Sequence, residues 1–206
     1  MAGKQGPDCC CGLLKLLFEI IVIILITLGL AALIFWLIFR PVNLVKFNVT
    51  EAELTRFNLT TNNSVLNYDL KLNLTIRNPN KKIGVYYNRL EARAFYGDQR
   101  LGVADVAPFY QGHKNTSMVS PAFRGQRGVV LSATDLSSFD SDKKAGGYDI
   151  KVKLYLKVKF KPGSLKTFSF KPKVKCDLKV PLSSNNGGSS SNFQTTKCDI
   201  DWNVFK

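Results

Sequence analysis

The chain has 206 residues and a mass of 23.0 kDa, enough for one small domain with a membrane anchor and too little for a large multidomain enzyme. Hydrophobic residues make up 45% and charged residues 21%, which excludes a wholly disordered or collagen-like chain. Of the 29 lysines and arginines, 26 follow Arg40 together with 13 of the 15 acidic residues, so that part carries a formal charge of +13. The single histidine excludes a multi-histidine zinc or iron centre.

Residues 20–39 form an apolar run of 20 residues without a charge. A helix of that length, at about 1.5 Å per residue, spans the roughly 30 Å hydrocarbon core of a bilayer. The run is longer than the apolar region of about 7–15 residues in a cleaved signal peptide. We therefore predict one transmembrane helix over residues 13–40, preceded by a cytosolic tail of residues 1–12.

The orientation of this span rests on features other than the flanking positive charges, which favour neither side. The part after the span contains five Asn-x-Ser/Thr triplets, the acceptor pattern for N-glycosylation, which indicates a lumenal or extracellular domain. The five acceptor positions are Asn48, Asn58, Asn62, Asn73 and Asn115. The positions of the cysteines also indicate that the part after the span lies outside the cytosol.

Cys9, Cys10 and Cys11 form one block just before the span. Three adjacent cysteines cannot present their thiolates tetrahedrally to one metal without strain, which argues against a zinc site. Juxtamembrane cytosolic thiols are candidates for S-palmitoylation, and unmodified reduced thiols are the alternative.

Cys176 and Cys198 are the only thiols after the span, and they flank residues 181–192, a segment with the composition of a flexible loop. An oxidising compartment favours a disulfide between them. Two buried free cysteines are the alternative.

Apolar and polar residues alternate along much of the outer part. Residues 66–77 and 150–161 keep a period of two, which predicts strands with one packed face and one wet face. Pro162-Gly163 then turns the chain, and residues 168–180 keep the same phase, so the two segments are predicted to form a hairpin whose pairing is weakened at Pro172.

Shorter strands and one short helix complete the predicted elements. The strands are residues 46–54, 83–87, 90–96, 101–106, 116–119 and 127–131, and the helix lies near residues 134–139. Antiparallel strands without long helices predict an all-β fold, a β-sandwich of residues 64–206. Residues 41–63 are interpreted as a stalk that includes the first strand.

Three stretches look familiar together: residues 78–87 (NPNKKIGVYY), 108–116 (PFYQGHKNT) and 148–160 (YDIKVKLYLKVKF). With a single span before them, they resemble the plant harpin-induced / non-race-specific-disease-resistance-like family. The resemblance covers about residues 13–206 and implies a late-embryogenesis-abundant type 2 domain, a fibronectin-III/immunoglobulin-like β-sandwich. It also implies a plasma-membrane protein of plant defence responses to pathogens, without known catalysis.

The same stretches also have a physical interpretation of their own. Asn78-Pro79-Asn80 has the chemistry of a turn, and a loop that binds a ligand or partner is the alternative. Gly84 is interpreted as a bulge or a close backbone approach. Phe109 and Tyr110 are interpreted as packed aromatic residues rather than as a binding platform.

No catalytic, cofactor-binding or metal site is predicted. A cysteine–histidine pair of His113 with Cys176 or Cys198 would need a reduced thiol, against the predicted disulfide. Asp135, Asp140 and Asp142 lack the spacing of a calcium loop and are interpreted as a solvated acidic turn. No nucleophile-elbow or phosphate-binding glycine motif is present. The chain is therefore predicted not to be an enzyme.

Nine lysines share the wet face of the predicted hairpin. They are Lys151, Lys153, Lys157, Lys159 and Lys161 on the first strand and Lys171, Lys173, Lys175 and Lys179 on the second. One interpretation is that the charges discourage aggregation between sheets. The other is a cationic patch that faces an anionic partner, such as pectic polysaccharide or lipid headgroups outside a plant cell. Nucleic acid is disfavoured by the compartment.

Two functional hypotheses follow. In the first, the chain is a defence-associated signalling or adaptor protein that contacts membrane signalling proteins through its sandwich, and a homo-oligomer is compatible with it. In the second, the lysine face binds anionic cell-wall polysaccharide while the span holds the protein in the lipid bilayer. The two differ in salt response, because binding to a charged polymer weakens as ionic strength rises.

Overall fold

The computed structural model describes residues 8–39, 43–60, 65–130, 132–183 and 193–201. The chain divides into two compact units, Met1–Val42 and Asn43–Lys206. The first unit contains helix α1 (Asp8–Phe39). Its segment Lys15–Phe35 has a mean hydropathy of 2.9 and is long and apolar enough to cross a membrane, in agreement with the predicted single span. The helix begins earlier than predicted, so the block of three cysteines lies within it.

The second unit contains eleven strands and one helix among its described residues. In chain order they are β1 (Lys46–Leu59), β2 (Val65–Arg77), β3 (Ile83–Tyr96), β4 (Gln99–Val106), β5 (Phe109–Gln111), β6 (Thr116–Val119), β7 (Ala122–Gly128), α2 (Ala133–Ala145), β8 (Gly147–Pro162), β9 (Lys173–Pro181), β10 (Thr196–Lys197) and β11 (Asp199–Asp201). Sheet A has the order β10-β1-β2, and β6 and β7 both pair with the far edge of β2. Sheet B has the order β11-β9-β8-β3, and β4 and β5 both pair with the far edge of β3.

The core forms because the apolar positions of both sheets face each other. Leu70 and Leu74 of sheet A and Ile150 and Leu154 of sheet B are completely buried. Each such side chain contributes roughly 1.5–3 kcal/mol through burial. Tyr68 of β2 also donates a hydrogen bond to the backbone carbonyl of Leu101 in β4, which ties one sheet to the other. The predicted all-β sandwich after a single helix is confirmed.

Strand β1 occupies most of the segment interpreted as a stalk. It pairs with β2 from Lys46 to Leu59, with register shifts between Val49 and Glu51 and between Leu54 and Arg56. Each shift changes the phase of the alternation, so no single period of two runs through the strand. This is why its second half was not predicted as strand.

Strand β3 is continuous where the sequence predicted two strands. Its register with β8 shifts between Tyr87 and Arg89, and the irregularity explains the apparent break. The β8–β9 hairpin is confirmed, but β9 begins only after Pro172, whose carbonyl accepts a hydrogen bond from the Leu156 amide. Phe168, which kept the apolar phase of the sequence, is 91% exposed.

Helix α2 is longer than predicted because it has a complete cap at each end. Ser132 caps the N-terminus with a capping box to Asp135, and Gly146 ends the helix in a left-handed conformation at φ 72°. Hydrogen bonds from Ser132 lower the pKa of the Asp135 carboxyl. Asp140 and Asp142 lie on this helix, so the interpretation as an acidic turn was wrong.

Candidate functional site: the cationic outer face of sheet B

The outer face of sheet B is built from alternate residues of four neighbouring strands. The period of two that buries Val152 and Leu154 of β8 places Lys151 and Lys153 on the opposite face. Strand β9 does the same beside it. This region is called the cationic face, and it comprises the outward residues of β3, β8, β9 and β11.

One row across the cationic face contains three cations. The strand register aligns Arg93 of β3 with Lys153 of β8 and Lys175 of β9, and the row ends at Asp199 of β11. Like charges directly opposite each other on a sheet are destabilising. Among the described residues, the ion pairs include none of the nine predicted lysines. The row therefore brings three positive charges together, although Arg93 also pairs with Glu91 and Lys175 lies opposite Asp199.

Aromatic side chains lie between these cations. The guanidinium of Arg93 is 4.3 Å from the centre of the Tyr155 ring, and the Lys173 ammonium is 5.9 Å from the same ring. The Lys153 ammonium lies 4.7 Å from the Phe95 ring centre. Cation–π contacts of this kind hold the charges over partly exposed rings. The face therefore combines positive charge with flat apolar surface.

Glu91 fixes the position of the arginines on β3. Its side chain is buried and accepts hydrogen bonds from Arg93 and Arg89. The hydrogen bond from Arg93 is the largest cause of the lowered pKa of this carboxyl, and its burial opposes the shift. Because Glu91 stays ionised, it orients Arg93 beside the Tyr155 ring.

An open groove of about 590 Å³ runs along the cationic face between β8 and β9. Its lining includes Lys151, Lys153, Lys175 and Lys179, with Asp177 as one of its acidic members. The groove is open to solvent and its lining carries charged side chains, which suits an extended charged chain better than a small substrate.

Eight of the nine predicted lysines lie on β8 and β9, and Lys161 is opposite Gly84 of β3 at the end of β8. Lys171 differs, because it lies in the hairpin connection before β9 begins. Tyr155 was not predicted, although it occupies a polar-phase position between Lys153 and Lys157 of β8. Arg93 and Phe95 were not predicted either, because nothing local shows that β3 is the neighbour of β8.

Four of the five glycosylation positions lie in described parts of sheet A or its connections. Asn58 and Asn115 are exposed, and Asn48 is partly exposed. The Asn73 side-chain nitrogen donates a hydrogen bond of 2.6 Å to Glu51, so a sugar at this position would displace that contact. Asn62 lies outside the described residues, and glycosylation itself stays a prediction.

The predicted disulfide is present. Cys176 of β9 is bonded to Cys198, which lies between β10 of sheet A and β11 of sheet B. The disulfide links the segment of β10 and β11 covalently to β9. The side chains of Cys9–Cys11 are outside the description, and their acylation stays a prediction.

A buried amide network underlies the stretch that was interpreted as a turn. Asn78 donates hydrogen bonds to the carbonyls of Ile83 and Gly112, and its own oxygen accepts from Asn80. Asn80 in turn bonds both backbone groups of Asn43, where the chain enters the sandwich. Asn78 and Asn80 therefore have a structural role, as the interpretation as a turn predicted. They also join this turn to the connection at Gly112 and to the entry segment at Asn43.

Two further residues of the familiar stretches have structural partners. Phe109 stacks on Tyr87 with ring centres 4.5 Å apart, as predicted for a packed aromatic residue. Tyr110 is 46% exposed and lies over Gly84, where a Cβ atom would be 2.2 Å from its hydroxyl oxygen. Gly84 therefore permits a close approach of this ring. Burial raises the pKa of the Tyr87 hydroxyl.

The only histidine is not placed for catalysis. His113 lies in an exposed turn, and both outer cysteines are in the disulfide. The described residues contain no group of three His, Cys, Asp or Glu side chains that could hold a metal ion.

Comparison with known proteins identifies the family. Residues 73–176 match the family model for late embryogenesis abundant protein (LEA_2). The chain is 51% identical to NDR1/HIN1-like protein 3 of Arabidopsis thaliana over 97% of this chain and 90% of that protein, and 46% identical to NDR1/HIN1-like protein 10 over 96% and 88%. A solution structure from the same plant, at 16% identity, covers 68% of this chain and 84% of its own with a TM-score of 0.34. The chain belongs to the late-embryogenesis-abundant type 2 family and, within it, to the NDR1/HIN1-like proteins.

Proposed function

We propose that this chain is a non-enzymatic, single-pass plasma-membrane protein of plant defence, with a cytosolic N-terminus and an extracellular sandwich that acts as a signalling or adaptor module. The observation that carries the location is the Cys176–Cys198 disulfide, since such bonds form and persist in oxidising compartments. The apolar segment of α1 supports the single span. His113 is exposed, and Cys176 and Cys198 are held in the disulfide, so neither can form a catalytic cysteine–histidine pair with it. This supports a role without catalysis.

The location is tested on intact protoplasts that express the full chain with a C-terminal tag. Added protease should remove the tag and the sandwich while a cytosolic marker protein stays intact. Glycosidase treatment should increase the gel mobility of the full chain, and replacement of Asn58 and Asn115 by glutamine should reduce that shift. A sandwich that survives the protease until the cells are lysed would contradict the proposal.

A second candidate function, attachment to anionic cell-wall polysaccharide, is favoured by the row of Arg93, Lys153 and Lys175. The fold does not need three cations side by side, and the repulsion between them costs stability. Carboxylates of a uronic-acid polymer would pair with such cations in charge-assisted hydrogen bonds. Outward residues repeat about every 6.8 Å along a strand, so the face presents charge at regular intervals, as a polymer does.

Binding of the full chain in nanodiscs to immobilised polygalacturonate tests this candidate, with neutral dextran as the reference surface. In the variant Lys151→Glu/Lys153→Glu, each substitution removes one pair between a lysine and a polymer carboxylate. The affinity should fall on the order of tenfold for each pair removed, about 1.4 kcal/mol each. The matched control Lys71→Glu/Lys197→Glu makes the same charge change on sheet A and should keep most of the binding. Equal losses in both variants would show that only net charge matters and would refute a site on the cationic face.

A further inference from the structure

The net positive charge of the sandwich differs between its two ends. The end where the chain enters comprises residues 43–47, 76–86, 109–117 and 158–171, and it is called the basic end. These residues are all described and include nine lysines and arginines and no aspartate or glutamate. The opposite end, residues 96–100, 127–130, 132–149 and 179–182, includes five aspartates and five lysines and arginines, so it carries no net charge. The sandwich is therefore electrically asymmetric along its strands.

Hydrogen bonds join the connections of the basic end into one surface. Asn80 bonds the backbone of Asn43, and its carbonyl accepts a hydrogen bond of 3.0 Å from the Lys114 amide. Ile83 of β3 is opposite Pro162, the last residue of β8. The hairpin connection after β8 therefore belongs to the same end as the loops that carry Lys81, Lys82 and Lys114.

The hairpin connection presents two large apolar side chains to solvent. Leu165 is 76% exposed and Phe168 is 91% exposed. Basic residues surround them in the sequence, with Lys166 between them and Lys171 after them. The Lys166 ammonium lies 5.0 Å from the Tyr86 ring centre, which directs this part of the connection along sheet B. Exposed apolar tips among cations are typical of segments that enter a membrane interface.

The chain reaches this end directly from the apolar helix. Only residues 40–42 separate Phe39, the last residue of α1, from Asn43. In the sequence, residues 43–47 of the basic end therefore come soon after the apolar segment. The exposed Leu44, beside the entry point, adds a third apolar side chain there.

We propose that the basic end is a lipid-binding surface, on which Leu165 and Phe168 insert into the interface of an anionic membrane while the surrounding lysines contact headgroup phosphates. The surface shares Lys159 and Lys161 with the end of the cationic face, but its apolar anchors lie in the connection between β8 and β9. Binding of this end does not depend on a polysaccharide ligand.

Hydrogen exchange of the full chain in nanodiscs tests this surface, because the span anchors every variant equally. Backbone amides of residues 163–171 are compared in phosphatidylcholine alone and in an equimolar mixture with phosphatidylserine. Exchange should be at least about fivefold slower in the mixture, the effect expected of one lysine held at an anionic surface. High salt should reduce the difference.

Two variants separate the apolar from the electrostatic contribution. Leu165→Ser/Phe168→Ser should abolish the protection in both lipids, and Lys81→Glu/Lys82→Glu should abolish its dependence on phosphatidylserine. Val130→Ser is the matched control, because Val130 is 87% exposed and precedes α2 at the other end. Equal exchange of residues 163–171 in both lipids and in all variants would overturn the proposal. Protection by added polygalacturonate, with none by lipid, would also overturn it.

Discussion

The buried asparagine network allows a quantitative prediction for the substitution Asn78→Ala. Asn78 is completely buried. Its side-chain nitrogen donates to the carbonyls of Ile83 at 2.8 Å and Gly112 at 2.9 Å. Its oxygen accepts from the Asn80 backbone amide at 3.1 Å and from the Asn80 side chain at 3.0 Å. Alanine removes all four hydrogen bonds and provides no replacement.

The expected loss follows from these four bonds. A typical hydrogen bond contributes about 1 kcal/mol net, and a buried group left without a partner costs about 1–3 kcal/mol. Asn78→Ala should therefore lower the free energy of unfolding of the sandwich by about 4 kcal/mol. For a unit of this size each kcal/mol corresponds to roughly 2–4 °C in Tm, so the Tm should fall by about 8–16 °C.

Thermal unfolding of the full chain in detergent, followed by near-ultraviolet circular dichroism, measures this change. The signal comes largely from tyrosines packed in the sandwich, such as Tyr87 and Tyr148. Asn88→Ala, at an exposed asparagine of β3, is the matched control and should change the Tm by less than about 2 °C. A fall below about 1 kcal/mol for Asn78→Ala would refute the network as a major source of stability.

Three further predictions concern other parts of the sandwich. Replacing Cys176 and Cys198 together by alanine should cost about 3 kcal/mol in urea unfolding, because the bridge joins residues 22 positions apart, and an unchanged midpoint would contradict this. Lys153→Met should raise stability by roughly 0.5 kcal/mol at low salt by relieving the cation row, whereas Lys71→Met, which loses an ion pair to Glu53, should not. A gain that persists in high salt would argue against repulsion as its cause. Glu91→Gln should lower the Tm at about pH 7, and the difference from the unchanged chain should shrink below about pH 4. The reason is that a carboxyl whose pKa is lowered by folding stabilises the folded state at pH values above its unfolded pKa of about 4.3. This contribution is lost as the pH falls through the folded pKa. A difference independent of pH would contradict that linkage.

Much of the architecture could be predicted because its signals are local. The apolar run needs no partner to be recognised, and strict alternation along β2 and β8 shows which side chains are inward whatever strand lies beside them. The disulfide was predictable for a related reason, since only two thiols follow the span and oxidation pairs them. Irregular elements were less predictable. Two register shifts conceal the alternation of β1, and the short strands β10 and β11 carry almost no pattern of their own.

The amino-acid sequence by itself determined the long apolar helix, the all-β class, the paired cysteines and the presence of a lysine-rich strand face. The tertiary structure decided which charges become neighbours, because strand pairing joins residues distant in the chain. Arg93 reaches Lys153 and Lys175 only through the order β3-β8-β9, and Asn78 finds its partners only where several loops meet. Alternation tells which way a side chain points, whereas the functional surface depends on what lies beside it.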